Sequence, residues 1–325
     1  MEPTPVKLKL ANIHCIDEGD SIGSAEPYLW TVFFKIDGDT THVDSTLTLQ
    51  GTATVVTTPG NHRDLIARDV DPGDNVAIPP ELGEFSTVIK PIPVDPLPGT
   101  TLAGVVGCIV ILLEQDETPN AAVAHGHVVL NQAVQSALDD LIPTLNFAHQ
   151  SPTDADIKAL TDRVGKRVED AISDGVSVWD WLTAFGNEDD KIGTKVFYAS
   201  QNDICDAGLA GIPLFEDWRN EGRWQISGTL NAVIGELEVS STHVEAHHID
   251  HLGGLYNGRV WRLPKMDVIR YIQSGIRFYS RGADGTRAQV EVLQHPKTRS
   301  NPTGLYLTTV PDRSKANNLS SLPTF

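Results

Sequence analysis

The chain lacks most of the features that announce a compartment or a catalytic framework. Three cysteines, Cys15, Cys108 and Cys205, occur in 325 residues, odd in number and scattered. That excludes a disulfide scaffold and zinc-knuckle spacing, and it leads us to expect buried free thiols in a cytoplasmic protein. Long apolar runs are missing too. The most apolar window, "LAGVVGCIVILLE", is too short to span a bilayer and stops at Glu114. The opening "MEPTPVKLKLANIHC" is polar and carries prolines, so no secretory signal is expected there. There is no Gly-x-Ser-x-Gly elbow and no glycine-rich phosphate loop between a strand and a helix, and the sequence offers no catalytic set. Basic residues are scarce, 25 against 43 acidic, for a net charge of −18. A nucleic-acid partner is therefore not expected.

What is present is a soluble-type composition long enough for two domains. The first hundred residues read as β structure: "VKLKLANIHCI" alternates, "YLWTVFFKID" ends at an Asp-Gly turn, and "STLTLQGTATVVTT" is rich in β-branched residues. Residues 70–100 are proline-dense and read as an extended connection or edge. "GVVGCIVILLEQDE" reads as a central strand buried on both sides. The period then changes. Val123, Leu130, Val134, Ala137, Leu138, Leu141 and Ile142 recur at helical spacing. A second helix is expected from "SPTD", with a stripe of Ile157, Leu160, Val164, Val168 and Ile172, followed by a segment anchored by Trp179 and Trp181. Strand signals return at "KIGTKVFYAS" and "GRWQISGTLNAVIGELEVSS". The expected fold is mainly β with an α insertion: an antiparallel β-sandwich over residues 1–240, interrupted by a helical hairpin at about 120–185, then a small α+β module over 241–325.

Charge is distributed unevenly. Glu114 to Asp190 holds 15 acidic and 4 basic residues, whereas Arg259 onward holds 11 basic and 4 acidic. Such blocks suit either solvated surfaces or mutual attraction, within a molecule or between copies.

The stretch "DEGDSIGSAEPYLWTVFF" concentrates carboxylates at the mouth of a strand. Its order, Asp20-x-x-Gly23-Ser24-x-Glu26-Pro27-Tyr28, resembles the first calcium loop of the synaptotagmin and protein-kinase-C type of calcium/phospholipid-binding β-sandwich, with Glu26 where that family usually has Asp. Glu114-x-Asp116 after a buried strand resembles the opening of the family's third loop. Asp189-Asp190-Lys191-Ile192-Gly193 resembles its close, with Lys191 where an aromatic is usual. The resemblance implies calcium held by Asp20, Glu26, Glu114, Asp116, Asp189 and Asp190, with some seventy residues inserted into one loop. The same acids also suit ordinary solvated turns, as do Asp69, Asp71 and Asp74 in "DVDPGD". An acidic insertion at that end would be repelled by anionic lipid, so membrane binding is not expected.

"HVEAHHIDH" offers a second kind of site. Read as a helix it pairs His243 with His247, or His247 with His251; read as a strand it points His243, Glu245 and His247 the same way, a set able to take a transition metal. The remainder, from "VWRLPKMDVIRYIQSG" to the closing "NNLSSLP", resembles a small bacterial domain family of unknown function over roughly residues 247–325, which implies an α+β fold and no chemistry. Its apolar tail, Leu319, Leu322, Pro323 and Phe325, is expected to dock on its own sheet. Taken together the sequence suggests a non-enzymatic binding or structural protein in which calcium orders loops for a protein partner or for self-association. A zinc-dependent hydrolase using the histidine cluster and a self-assembling subunit are the alternatives.

Overall fold

The computed structural model describes residues 1–19, 25–65, 69–115, 119–145, 191–245, 248–256, 259–273, 275–282, 285–297, 303–310 and 319–324. The chain divides into two compact units, Met1–Ala232 and Val233–Phe325. The described residues are mostly strand, in several largely antiparallel sheets with a few helices. That is the mainly-β class with an α insertion that the sequence leads one to expect.

In the first unit the strands are β1 (Thr4–Asp17), β2 (Pro27–Ile36), β3 (Thr41–Val43), β4 (Leu49–Gly51), β5 (Thr54–Thr57), β6 (Asn75–Ala77), β7 (Glu84–Ile89), β8 (Ile92–Pro93), β9 (Thr101–Leu102), β10 (Val105–Glu114), β11 (Lys191–Ser200), β12 (Ile212–Trp218) and β13 (Arg223–Ala232). One sheet runs β12-β13-β1-β6, with β7 pairing the other end of the long β1; the second runs β11-β10-β2-β5. The proline-dense segment thus supplies the short edge strands β6 and β7 and a one-turn helix α1 (Pro80–Gly83).

The period of two explains the layers. Along β2, Tyr28, Trp30, Val32, Phe34 and Ile36 enter one core, while Leu29 and Phe33 enter another. Along β10, Ile109, Ile111 and Leu113 join the first core, and Cys108, Val110 and Leu112 join the second. Each central strand is therefore buried on both faces, which is why its sequence reads as a continuous apolar run. The second core lies between the two sheets. The first is closed by helix α2 (Asn120–Leu141), whose Val123, Leu130, Val134, Leu138 and Leu141 form the apolar stripe. Each such side chain withdrawn from water contributes about 1.5–3 kcal/mol before entropy. At the end of β2 the expected Asp-Gly turn forms, and buried Asp37 receives the Lys35 ammonium at 2.9 Å, so neither charge is buried alone.

β10 and β11 pair antiparallel from Val105↔Ser200 to Leu113↔Lys191, so the inserted segment leaves and re-enters the sheet at adjacent strand ends. The expected second helix and the Trp179/Trp181 segment lie outside the described residues. After β11, Ser200 caps helix α3 (Gln201–Ala207) through a reciprocal box with Asp203.

The second unit contains β14 (Glu236–Val239), β15 (Ser241–Glu245), β16 (His248–Tyr256), β17 (Arg259–Pro264), helix α4 (Lys265–Gln273), β18 (Arg277–Arg281), β19 (Arg287–Gln294) and β20 (Leu305–Thr309). Its sheets run β14-β18-β19-β20, where β14 and β18 are parallel, and β15-β16-β17. Helix α4 stops where Gly275 takes φ +102° and the Ile276 amide donates to the Tyr271 carbonyl, a Schellman closure that needs the glycine. The tail docks on its own unit as expected: Leu319 is buried, and the Thr242 amide donates to the Pro323 carbonyl at 2.9 Å. Among the described residues no helix is long and apolar enough to cross a membrane.

Candidate metal centre

The histidine-rich segment does not form the single strand that its neighbourhood suggests. It folds back on itself as the hairpin β15–β16, with His243 opposite His251 and Val244 opposite Ile249. Asp250 is the extra residue between those pairs, a β-bulge. In a regular strand Asp250 and His251 would point to opposite faces; the bulge turns both toward His243.

The result is a compact constellation. His243 Nδ1 lies 2.6 Å from Asp250 Oδ1, and His251 Nδ1 lies 3.1 Å from Asp250 Oδ2. The two imidazoles meet edge to face with centroids 5.8 Å apart. An ionised carboxylate only accepts, so both rings donate from Nδ1 in the metal-free state. Burial raises the Asp250 carboxyl, but the hydrogen bonds and charges of His243 and His251 outweigh it and hold the group below the usual carboxylate range. One ligand atom from each of the three side chains falls within 4.8 Å of the others, and all three residues are half-buried. Ligands of a tetrahedral zinc, at about 2.0–2.1 Å from the ion, stand roughly 3.3 Å apart, so little opening would admit the metal. Among the described residues no other group of three or more His, Cys, Asp or Glu comes so close.

The other expected ligands fare differently. His247 lies outside the described residues, and Glu245 ends β15 opposite His248. Of the calcium-loop acids, Asp20, Asp116, Asp189 and Asp190 lie outside the described residues. Glu26 and Glu114 do converge: Pro27 pairs with Glu114, and the Gln115 amide donates to the Glu26 carbonyl at 3.0 Å. The "DVDPGD" loop reaches the same sheet ends through the Ala25↔Val70 bridge and the Cys15 amide, which donates to the Asp74 carbonyl. Burial, then the negative charges of Glu18, Asp17, Asp74 and Asp71, push the Cys15 thiol up to about 11.

Two members of the constellation, Asp250 and His251, were visible as residue types but not as partners. A pair of adjacent residues sharing a strand face requires a bulge, and nothing in the local residue types marks one. Residues 238–323, nearly the whole second unit, match DUF3892, a family described as a protein of unknown function, so this unit carries a DUF3892 domain. Comparison with curated proteins and with solved structures gave no match. Nothing in these comparisons connects the first unit with calcium/phospholipid-binding sandwiches.

Proposed function

We propose that this is a metal-binding protein whose DUF3892 domain holds one divalent transition-metal ion, zinc by its ligand chemistry, through His243, Asp250 and His251. The observation that carries this reading is the convergence of three N/O ligand atoms on a bulged, partly exposed hairpin. Two imidazoles and one carboxylate are a donor set suited to zinc, and three protein ligands leave a fourth position open. A neutral imidazole that ligates through Nδ1 carries its proton on Nε2, so binding entails a change of tautomer at both rings. Calorimetry of the full chain with zinc tests this. One ion per chain is expected, abolished in Asp250→Asn and His243→Ala. No heat in the wild-type protein would sink the proposal. The open position could activate a water for hydrolysis.

A second reading, calcium at the sandwich rim ordering loops toward a protein partner or a second copy, is favoured by the adjacency of Glu26 and Glu114 and the negative field at Cys15. It predicts a calcium-dependent thermal shift that Asp20→Asn and Asp116→Asn remove; an unchanged wild-type melting curve would end it.

A further inference from the structure

Strand β5 ends its sheet: it pairs β2 on one side and no described strand on the other. Which of its backbone groups face outward follows from the register. The Gln115 amide donates to the Glu26 carbonyl, so the even-numbered residues of β2 turn their N–H and C=O groups to β10 and the odd-numbered ones to β5. Phe33 and Lys35 therefore bond Val56 and Thr54, and Val55 and Thr57 turn theirs away from the sheet. Ala53 keeps the alternation: its amide donates to Asp139 Oδ1 at 2.9 Å and its carbonyl accepts from Gln135 Nε2 at 3.0 Å. Helix α2 thus closes the outward groups at Ala53, whereas among the described residues nothing bonds those of Val55 and Thr57. The helix runs antiparallel to this edge, from His127 against Gly60 to Asp139 against Ala53. Between them lies an open cleft of about 520 Å³ whose lining includes Val55, Thr57, Gln132, Gln135, Asp139 and Asp140. Sheet edges are ordinarily blunted by lysine, proline or a covering segment, yet β5, "TVVT", has no charge, no proline and four β-branched residues.

We propose that this cleft is a peptide-docking groove in which an extended, basic segment of a partner protein adds as a strand to the edge of β5, alongside α2. The Val55 and Thr57 N–H and C=O groups supply the backbone pairing, which holds any extended chain. Specificity comes from the helix. Val55 and Thr57 share a face with Val32 and Phe34, which enter the core that α2 closes, so partner residues opposite them point toward α2. That helix has no lysine or arginine, and its rim carries Asp139 and Asp140. Asp139 accepts only from the neutral Ala53 and Gln135 amides, and among the described residues no cation pairs with either acid. A lysine or arginine at the end of the segment nearer Ala53 meets this negative charge. The occupant is a different protein, because pairing β5 with β5 of a second copy would bring two acidic rims together. The groove belongs to the first unit and is independent of the metal reading.

The test selects binders of the full chain from a displayed library of random heptapeptides; the selected sequences are synthesised and titrated by fluorescence anisotropy. The expected consensus bears lysine or arginine at one end and β-branched residues elsewhere, and its binding slows amide exchange at Val55 and Thr57. N-methylation of alternate peptide amides should abolish binding. Thr57→Pro removes one outward N–H and no bond to β2, so it should weaken the peptides about tenfold without lowering the melting temperature. Asp140→Lys, on the exposed rim, should also weaken them about tenfold and turn the selection toward acidic sequences. Selection that yields no peptide, or only peptides that leave Val55 and Thr57 exchanging as before, overturns the proposal. A full chain that sediments as a dimer split by Thr57→Pro gives the edge to a second copy and overturns it as well.

Discussion

The two units solve opposite problems with the same secondary structure. Met1–Ala232 carries 35 acidic and 14 basic residues, Val233–Phe325 carries 8 and 11. In the first unit the central strands β2 and β10 are buried on both faces, and their charged residues, Lys35 and Glu114, stand at or near the strand ends. In the second unit a three-stranded sheet keeps one face open, and its ionisable groups stand on the sheet itself. The two central strands of the first unit therefore offer no ligand set on their faces. In the second a single bulge suffices to bring three ligands together on a rigid platform.

The sharpest break of this comparison is a truncation on each side. Trp30→Ala, in a side chain buried between β2 and α2, should cost about 3–5 kcal/mol in urea unfolding, whereas Val260→Ala on the open face should stay within about 0.5 kcal/mol. Equal losses would deny the contrast.

Next in size is a pair of buried ionisable groups in the first unit with opposed pH responses. His127 is packed against Trp30, with Gly60 so close to its ring that a Cβ there would fall 2.0 Å away, and burial lowers its pKa to about 4. The unfolded chain takes up that proton first, so stability is lost as pH falls from 6.5 to 4, by roughly 3 kcal/mol at the limit. Asp64 runs the other way. Burial raises it to about 6 despite the hydrogen bond donated by the Asn61 amide, so the folded chain takes up the proton first and the cost of its charge fades as pH falls from 6 to 3.8. In slopes of stability against pH, His127→Gln should flatten the acid limb and Asp64→Asn should steepen it. Unchanged slopes in both would refute the assignment.

Zinc at a hundredfold excess over its Kd should raise the stability of the unit holding it by about 2.7 kcal/mol, an effect absent in Asp250→Asn. The smallest effect belongs to the helix cap: Ser200→Ala, which breaks the box with Asp203, should cost about 1 kcal/mol in the first unit and leave zinc affinity untouched.

Much of the architecture was legible because burial on two faces leaves a continuous apolar signature, as in "YLWTVFFKI" and "VVGCIVILLE", and because α2 repeats its apolar residues at helical spacing. β17 escaped notice because its "RVWRLP" mixes charge with apolar residues on an open sheet and runs directly into a helix. The hairpin escaped notice because the two residues between β15 and β16 in the sequence, Ala246 and His247, are not glycine, asparagine or proline. The histidines were evident; their partnership was not, since it depends on an unpaired residue that only the register of two strands reveals.

The seating of Pro323 and Thr324 against Thr242 has a consequence for assembly. Strand β15 ends its sheet, and this short stretch occupies backbone groups that would otherwise be free to recruit a foreign strand. Lifting it would uncover a sticky border one residue from His243, so the guard against unwanted aggregation and the footing of the candidate ligand set are the same few contacts.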